Sequence, residues 1–231
     1  MSKMKTLAGL ALSMAAASVH ASNGSTNEFY LKGGFLGAGI GYTYGLNKSF
    51  SLRSDVMTIG RHDHNGDISG FDYKGKLRND VATLYGDWFP LDNGFRITFG
   101  LAVRDTQLAA DANPSAAGTV EIGGQTVNYG PGDSAHAKVE LPDVAPYLGI
   151  GYGHNVGQNT KAGWTFLADA GVYYGKPKVS FNINAHLYKK LNDVSGGRAQ
   201  ELVDQQTADI RDKVEKYKFM PAVYIGIGYR F

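Results

Sequence analysis

Residues 219–231 read F-M-P-A-V-Y-I-G-I-G-Y-R-F and constrain the fold more than any other stretch of the chain. Phe219, Pro221, Val223, Ile225, Ile227, Tyr229 and Phe231 occupy one parity. Ala222, Tyr224, Gly226, Gly228 and Arg230 occupy the other, with Met220 the single apolar exception. Successive side chains of a strand point to opposite faces, so this period of two describes a strand with one apolar face and one face that is packed or wet. A strand of a soluble sheet alternates in the same way, so the opposite end of the chain has to decide between the two.

Residues 1–21 have the layout of an export signal. Lys3 and Lys5 are followed by a short apolar run from Leu7 to Val19, and Val19-His20-Ala21 supplies a cleavage site before Ser22. The run is shorter than the ~18 apolar residues that cross a bilayer as a helix, and no other segment is long and apolar enough to do so. We therefore expect a signal peptide over 1–21 and one domain over 22–231. The chain has 23 Lys+Arg and 21 Asp+Glu; loss of Lys3 and Lys5 leaves 21 of each. That neutrality argues against nucleic acid as a partner. With no cysteine, thiol chemistry and disulfides are excluded, and no cofactor is implied.

Other segments repeat the alternation. Leu36, Ala38, Ile40, Tyr42 and Tyr44 oppose Gly37, Gly39, Gly41 and Thr43; Phe50, Leu52 and Val56 oppose Ser51, Arg53 and Asp55. The clearest case is 95–104, where Phe95, Ile97, Phe99, Leu101 and Val103 oppose Arg96, Thr98, Gly100, Ala102 and Arg104. Residues 144–153, 164–174 and 179–187 follow, and 76–89 read as a strand with blurred alternation. With 219–231 these make eight. The expected fold is all-β: an eight-stranded antiparallel transmembrane β-barrel, with one short helix over 198–216 in the connection before the last strand. Closure matters because an open sheet edge in hydrocarbon leaves backbone groups without partners.

Gly45–Lys48 and Pro90–Gly94 read as tight hairpin turns and Gly175–Lys178 as a third. The long polar connections are 60–75, 105–140 and 189–216. With these eight strands and both termini in the periplasm, the tight turns at 46 and 92 face outward and the long connections 60–75 and 105–140 inward, against the usual barrel rule. Either a short strand hides within Ser25–Lys32 or the chain departs from the rule.

A signal peptide, alternating Gly/aromatic strands and the terminal Tyr-Arg-Phe resemble the small Gram-negative outer-membrane β-barrel proteins of the OmpX/OmpW-like group. The resemblance implies that Val223, Ile225, Ile227, Tyr229 and Phe231 form the signal read by the barrel-assembly machinery during insertion. It also implies outer-membrane lipid as the surrounding partner.

The inward parity gathers Arg53, Asp55, Arg96, Arg104, Tyr147, Asp169, Tyr173, Tyr224 and Arg230. These could line a polar conduit for small solutes. Eight strands enclose a space about wide enough for side chains to fill, and unpaired buried charge is costly, so a paired, side-chain-filled lumen is the expectation. His62-Asp63-His64-Asn65-Gly66-Asp67 is the densest set of possible cation ligands. Its Gly falls at the fourth position from Asp63 rather than the sixth of an EF-hand, so a polar turn is the better reading. An enzyme acting on outer-membrane lipid would need a nucleophile beside its base. His186, which strand parity puts inward beside Asn184 and Ser180, is the weak candidate. The expectation is a non-enzymatic barrel with a structural role or an interaction role carried by its long loops.

Overall fold

The computed structural model describes residues 27–68, 71–159 and 161–231, with backbone alone at 61–68 and 71–73. The expected signal peptide and the 62–67 ligand cluster lie outside the described residues and side chains.

Among the described residues, eight strands close into an antiparallel ring. In chain order they are β1 (Asn27–Gly34), β2 (Gly37–Gly45), β3 (Phe50–Ile68), β4 (Phe71–Trp88), β5 (Phe95–Pro114), β9 (Val144–Tyr152), β10 (Gly163–Tyr174) and β12 (Phe219–Arg230), with β12 pairing back onto β1. Each wall strand pairs with its neighbour in sequence once two excursions are set aside. The first excursion holds β6 (Gly118–Ile122), β7 (Gln125–Tyr129) and β8 (Ala135–Glu140). The second holds β11 (Lys178–Ile183) and helices α1 (Ala185–Ser195) and α2 (Ala199–Glu215).

The outward parity is apolar and open to the surroundings: Phe166 is 81% exposed and Ile225 71%, with Phe29, Leu31, Ile40, Phe99, Leu101, Leu148 and Ile150 beside them. Such a continuous apolar surface is unstable in water and fits a hydrocarbon surround. Aromatic rings mark both margins. Trp164 packs on Tyr229 and Phe29 on Phe231 at one, and Tyr174 packs on Phe219 at the other. Between the margins a tilted strand of this length rises about 25 Å, the height of an apolar barrel band.

β1 corrects the expected strand list. It is the eighth wall strand, and the segment predicted over 179–187 is not in the wall. Lys178–Ile183 instead pairs with β8 outside the ring, and the alternation ends at Asn184. Asn184 Oδ1 accepts the Leu187 N–H at 3.0 Å, so this residue N-caps α1 and turns His186 and Leu187 helical. Two helices therefore precede the last strand where one was expected. Gly196 (φ 69°) and Gly197 (φ 93°) end the first of them.

Adding β1 also removes the parity conflict. The turns at 46–49 and 89–94, residues 153–159 and 161–162, Asn27 and Arg230 now share one side, and among the described residues the long connections rise on the other. Asn47 Oδ1 accepts the N–H groups of Ser49 and Phe50, closing the first of these turns. Gly175–Lys178 is not a hairpin, because β10 and β11 do not pair; the Gly175 N–H donates to Lys218 O as the chain leaves the wall.

The predicted long loops are largely strand. β3, β4 and β5 run for 18 to 20 residues, well past the 9–11 that cross a bilayer. A bulge between Thr58 and Gly60, with Gly60 at φ 75°, redirects β3 where it leaves the wall. Above Val103, β5 changes partner from β9 to β8, and β11 adds to β8. One face of this extension carries Ala110, Ala112, Ala135, Ala137, Phe181 and Ile183. The β6–β7 hairpin and both helices lie over it, burying Ile122, Val127, Leu187, Leu191, Ala199, Leu202 and Val203 in a second core. The other face is polar, with Asp111 bound to Lys76 at 3.1 Å and to His136. We call this raised unit the cap.

Candidate functional site

Alternation sends one set of side chains from all eight wall strands into the barrel. At the centre are two arginines and two aspartates. Arg53 Nε donates to Asp87 Oδ2 at 3.0 Å, and Arg53 Nη2 lies 3.3 Å from Asp169 Oδ1. Arg96 Nη2 meets the same Asp169 oxygen at 2.5 Å, while Arg96 Nε lies 3.4 Å from Asp87 Oδ1. Each arginine thus touches both aspartates. Thr98 Oγ1 donates to Asp87 at 2.6 Å, and the Arg53 guanidinium lies 4.3 Å from the Tyr85 ring centroid. All four charged side chains are at most 4% exposed.

Toward the cap, Lys32 pairs with Asp55, and Asp55 also accepts the Tyr30 hydroxyl at 2.9 Å. The Lys32 ammonium donates to Tyr85 Oη at 3.2 Å and lies 4.4 Å from the Tyr224 ring centroid. Tyr147 packs edge-on to Tyr85 and tilted on Tyr173, whose hydroxyl is 3.2 Å from that of Tyr85. Toward the termini, His154 is wholly buried, pairs with Glu28 and touches Thr43 Oγ1 at 3.1 Å. It adopts φ 56°, the only positive φ of a non-glycine among the described residues.

Glycines make this filling possible. A Cβ on Gly149 would stand 2.6 Å from Tyr147 Oη, and one on Gly151 would stand 2.7 Å from Arg96 Cζ. Tyr147 lies flat along its own strand and Arg96 over the neighbouring one because those positions have no side chain.

Of the residues singled out by parity, Arg53, Asp55, Arg96, Tyr147, Asp169, Tyr173 and Tyr224 meet in the networks just described. Arg104 and Arg230 stand apart from them at opposite ends, where Arg104 Nε donates to Pro142 O at 2.9 Å and Arg230 Nη1 to Asn159 O at 3.3 Å. Val223, Ile225, Ile227, Tyr229 and Phe231 face outward. His186 departs from the expectation. It sits on α1 in the cap, not in the wall, and its exposed imidazole lies 2.7 Å from Asp133 Oδ1. Glu28, Tyr30, Lys32, Tyr85, Asp87 and His154 belong to the buried set but were not anticipated. N-E-F-Y-L-K over 27–32 carries the period-two signal that would have found the first three. His154, on a loop, has none.

In the cap, burial alone would raise the carboxyl of Asp133. Hydrogen bonds from the Lys190 ammonium and the Gly130 N–H, each 2.7 Å long, outweigh it and hold the group below the usual carboxylate range. Hydrogen bonds from His136 and then Lys76 similarly hold Asp111 low.

An antiparallel ring of eight strands with an apolar exterior and a charged interior is the architecture of an outer-membrane β-barrel protein. Solved structures of that class superpose on the chain. CarO2 of Acinetobacter baumannii does so with TM-score 0.57 at 25% identity, and CarO of the same organism with 0.54 at 20%; each match covers 91% of this chain and all of the other. A major outer membrane protein from Thermus thermophilus aligns at TM-score 0.41 and 13% identity. No protein-family model matches the chain, and no curated protein matches it.

Proposed function

We propose that this chain is a non-enzymatic, integral outer-membrane barrel whose lumen is closed by its own side chains and whose cap carries the interactions. The observation that carries the reading is the Arg53–Asp87–Arg96–Asp169 cluster. Four nearly inaccessible charges neutralise one another across the middle of the ring, with tyrosines filling the space toward the cap. A conduit would need that cluster to part, and each separated charge would then lose buried partners that offset its desolvation.

By the usual rule for such barrels, the side with both terminal strand ends and the short turns is periplasmic, so the cap stands in the external medium. Residues 1–21 serve as a cleaved export signal in this reading. The outward Val223, Ile225, Ile227, Tyr229 and Phe231 serve first the assembly machinery and then the surrounding lipid. Architecture is what links the chain to the OmpX/OmpW-like group.

Conductance in planar bilayers tests the closed lumen. The wild-type barrel is expected to give no stable steps, and truncation of Asp169 and Arg96 together is expected to introduce them. Stable wild-type steps that disappear when Gly149 or Gly151 is replaced by a bulkier residue would establish the conduit instead.

A further inference from the structure

The cap forms a partly open cavity of about 240 Å³ that neither the lumen nor the barrel wall accounts for. Its floor is made of alanines paired across two strands: Ala110 opposite Ala137, and Ala112 opposite Ala135. Four minimal side chains on adjacent strands leave a recess. Phe181, Val120, Ile122 and Leu187 overhang it from β11, the β6–β7 hairpin and α1. Around it the core is tight, with Ile122, Val127, Leu191 and Ala199 at most 2% exposed, so the space is a local feature of a well-packed unit.

One polar group in the lining has capacity to spare. The Asp133 side chain is 1% exposed. Its Oδ2 accepts from Gly130 and Lys190, whereas Oδ1 has only His186 Nδ1 at 2.7 Å, in a geometry that makes no proper hydrogen bond. With the Lys190 ammonium already at this carboxylate, a further cation is disfavoured and a neutral donor is welcome. Apolar walls exclude water and accept hydrocarbon or aromatic groups. The volume falls below the roughly 300–1,000 Å³ of pockets for drug-sized ligands, which limits the occupant to something smaller. Ala110 lies seven residues beyond Val103, the last β5 residue paired to the wall, or about 23 Å along the strand. That distance removes the cavity from the acyl chains, so its ligand arrives from the aqueous phase.

We propose that the cap cavity is a binding site for a small, uncharged, aromatic or short aliphatic molecule bearing one N–H or O–H donor, which Asp133 accepts. This deepens the reading of the cap as the interacting part. Binding is measured apart from conductance, so either can fail alone.

The test uses the full chain in lipid nanodiscs and 5-fluoroindole as probe, followed by fluorine NMR. Saturable binding is expected in the wild type. A137F should weaken it roughly tenfold or more by filling the recess. A109L, on the opposite face of β5, should leave it unchanged. The N-methylated probe should bind several-fold more weakly than the parent. Heat-modifiable migration and protease resistance of the cap report folding, and A110L replaces A137F if the latter misfolds. Absence of saturable binding in the wild type, or equal binding to wild type and a folded filled variant, overturns the site. Equal affinity for the N-methylated probe overturns the role of Asp133.

Discussion

The barrel and the cap share three long strands yet solve burial in opposite ways. Inside the wall, β3, β4 and β5 present Arg53, Asp55, Tyr85, Asp87 and Arg96 to a polar interior and leave Leu84, Phe99 and Leu101 facing outward. A few residue pairs further on, β5 turns Ala110 and Ala112 inward beneath helices and sets Asp111 outward with Lys76 and His136. The change follows the solvent. Where hydrocarbon surrounds the sheet, apolar groups gain nothing by turning inward, and the enclosed space goes to charges that satisfy one another. Where water surrounds it, the ordinary hydrophobic drive returns and helices are needed to cover one face. The two cores therefore depend on different forces and should fail under different insults.

The largest effect is expected in the wall. Asp169→Ala leaves Arg53 and Arg96 short of a buried partner and should cost about 3–5 kcal/mol. Urea titration of the barrel in vesicles, read by heat-modifiable migration, measures it; a loss below about 1 kcal/mol would mean the lumen is wetter than the burial indicates. Leu191→Ala removes a side chain with no exposure and should cost the cap about 2–5 kcal/mol. The comparison predicts where that loss appears. Protease sensitivity should rise in 175–218 while the barrel keeps its heat-modifiable shift, and simultaneous loss of both would merge the two cores into one.

Gly149→Ala places a Cβ against Tyr147 Oη and 2.8 Å from the Ala170 carbonyl oxygen, and should cost about 1–3 kcal/mol in the wall alone. The smallest effect concerns acid. Asp133 is held below its ordinary value in the folded cap, so its contribution is present above the unfolded pKa of about 4 and is lost as pH falls through the folded value. Protease resistance of the cap should decline across that acid window, and Asp133→Asn should flatten the decline. An unchanged acid profile in that variant would assign the sensitivity to other groups.

Much of the wall was legible because its environment imposes a strict alternation. Segments such as 95–104 announce both faces residue by residue. β1 is harder to see although N-E-F-Y-L-K alternates cleanly, because it is short and eight other segments alternate without it. The impostor, 179–187, alternates as far as Ile183 because one of its faces covers the core of the cap. Only the capping bond of Asn184 distinguishes it from a wall strand. The cap itself reads as loops for a related reason. Strands outside hydrocarbon tolerate polar residues on both faces, as the consecutive Arg78, Asn79 and Asp80 illustrate, so the period is lost there. The inward arginines and aspartates could be placed on a face from parity, but not matched to one another. That matching depends on register across three or four strands and on which glycines leave room to reach.

The cap is assembled from three separate stretches of the chain, the extended β3–β4 hairpin and the two excursions, leaving and rejoining the wall near Thr58 and Asn79, Arg104 and Asp143, and Gly175 and Lys218. It has no contiguous gene segment of its own. Moving it to another barrel would require six junctions in correct rotational phase, and recombination that exchanges a single excursion would deliver a fragment with an exposed apolar face. Variation in such a cap is therefore channelled into substitutions along its surface and its cavity, while its outline passes on only together with the wall that carries it.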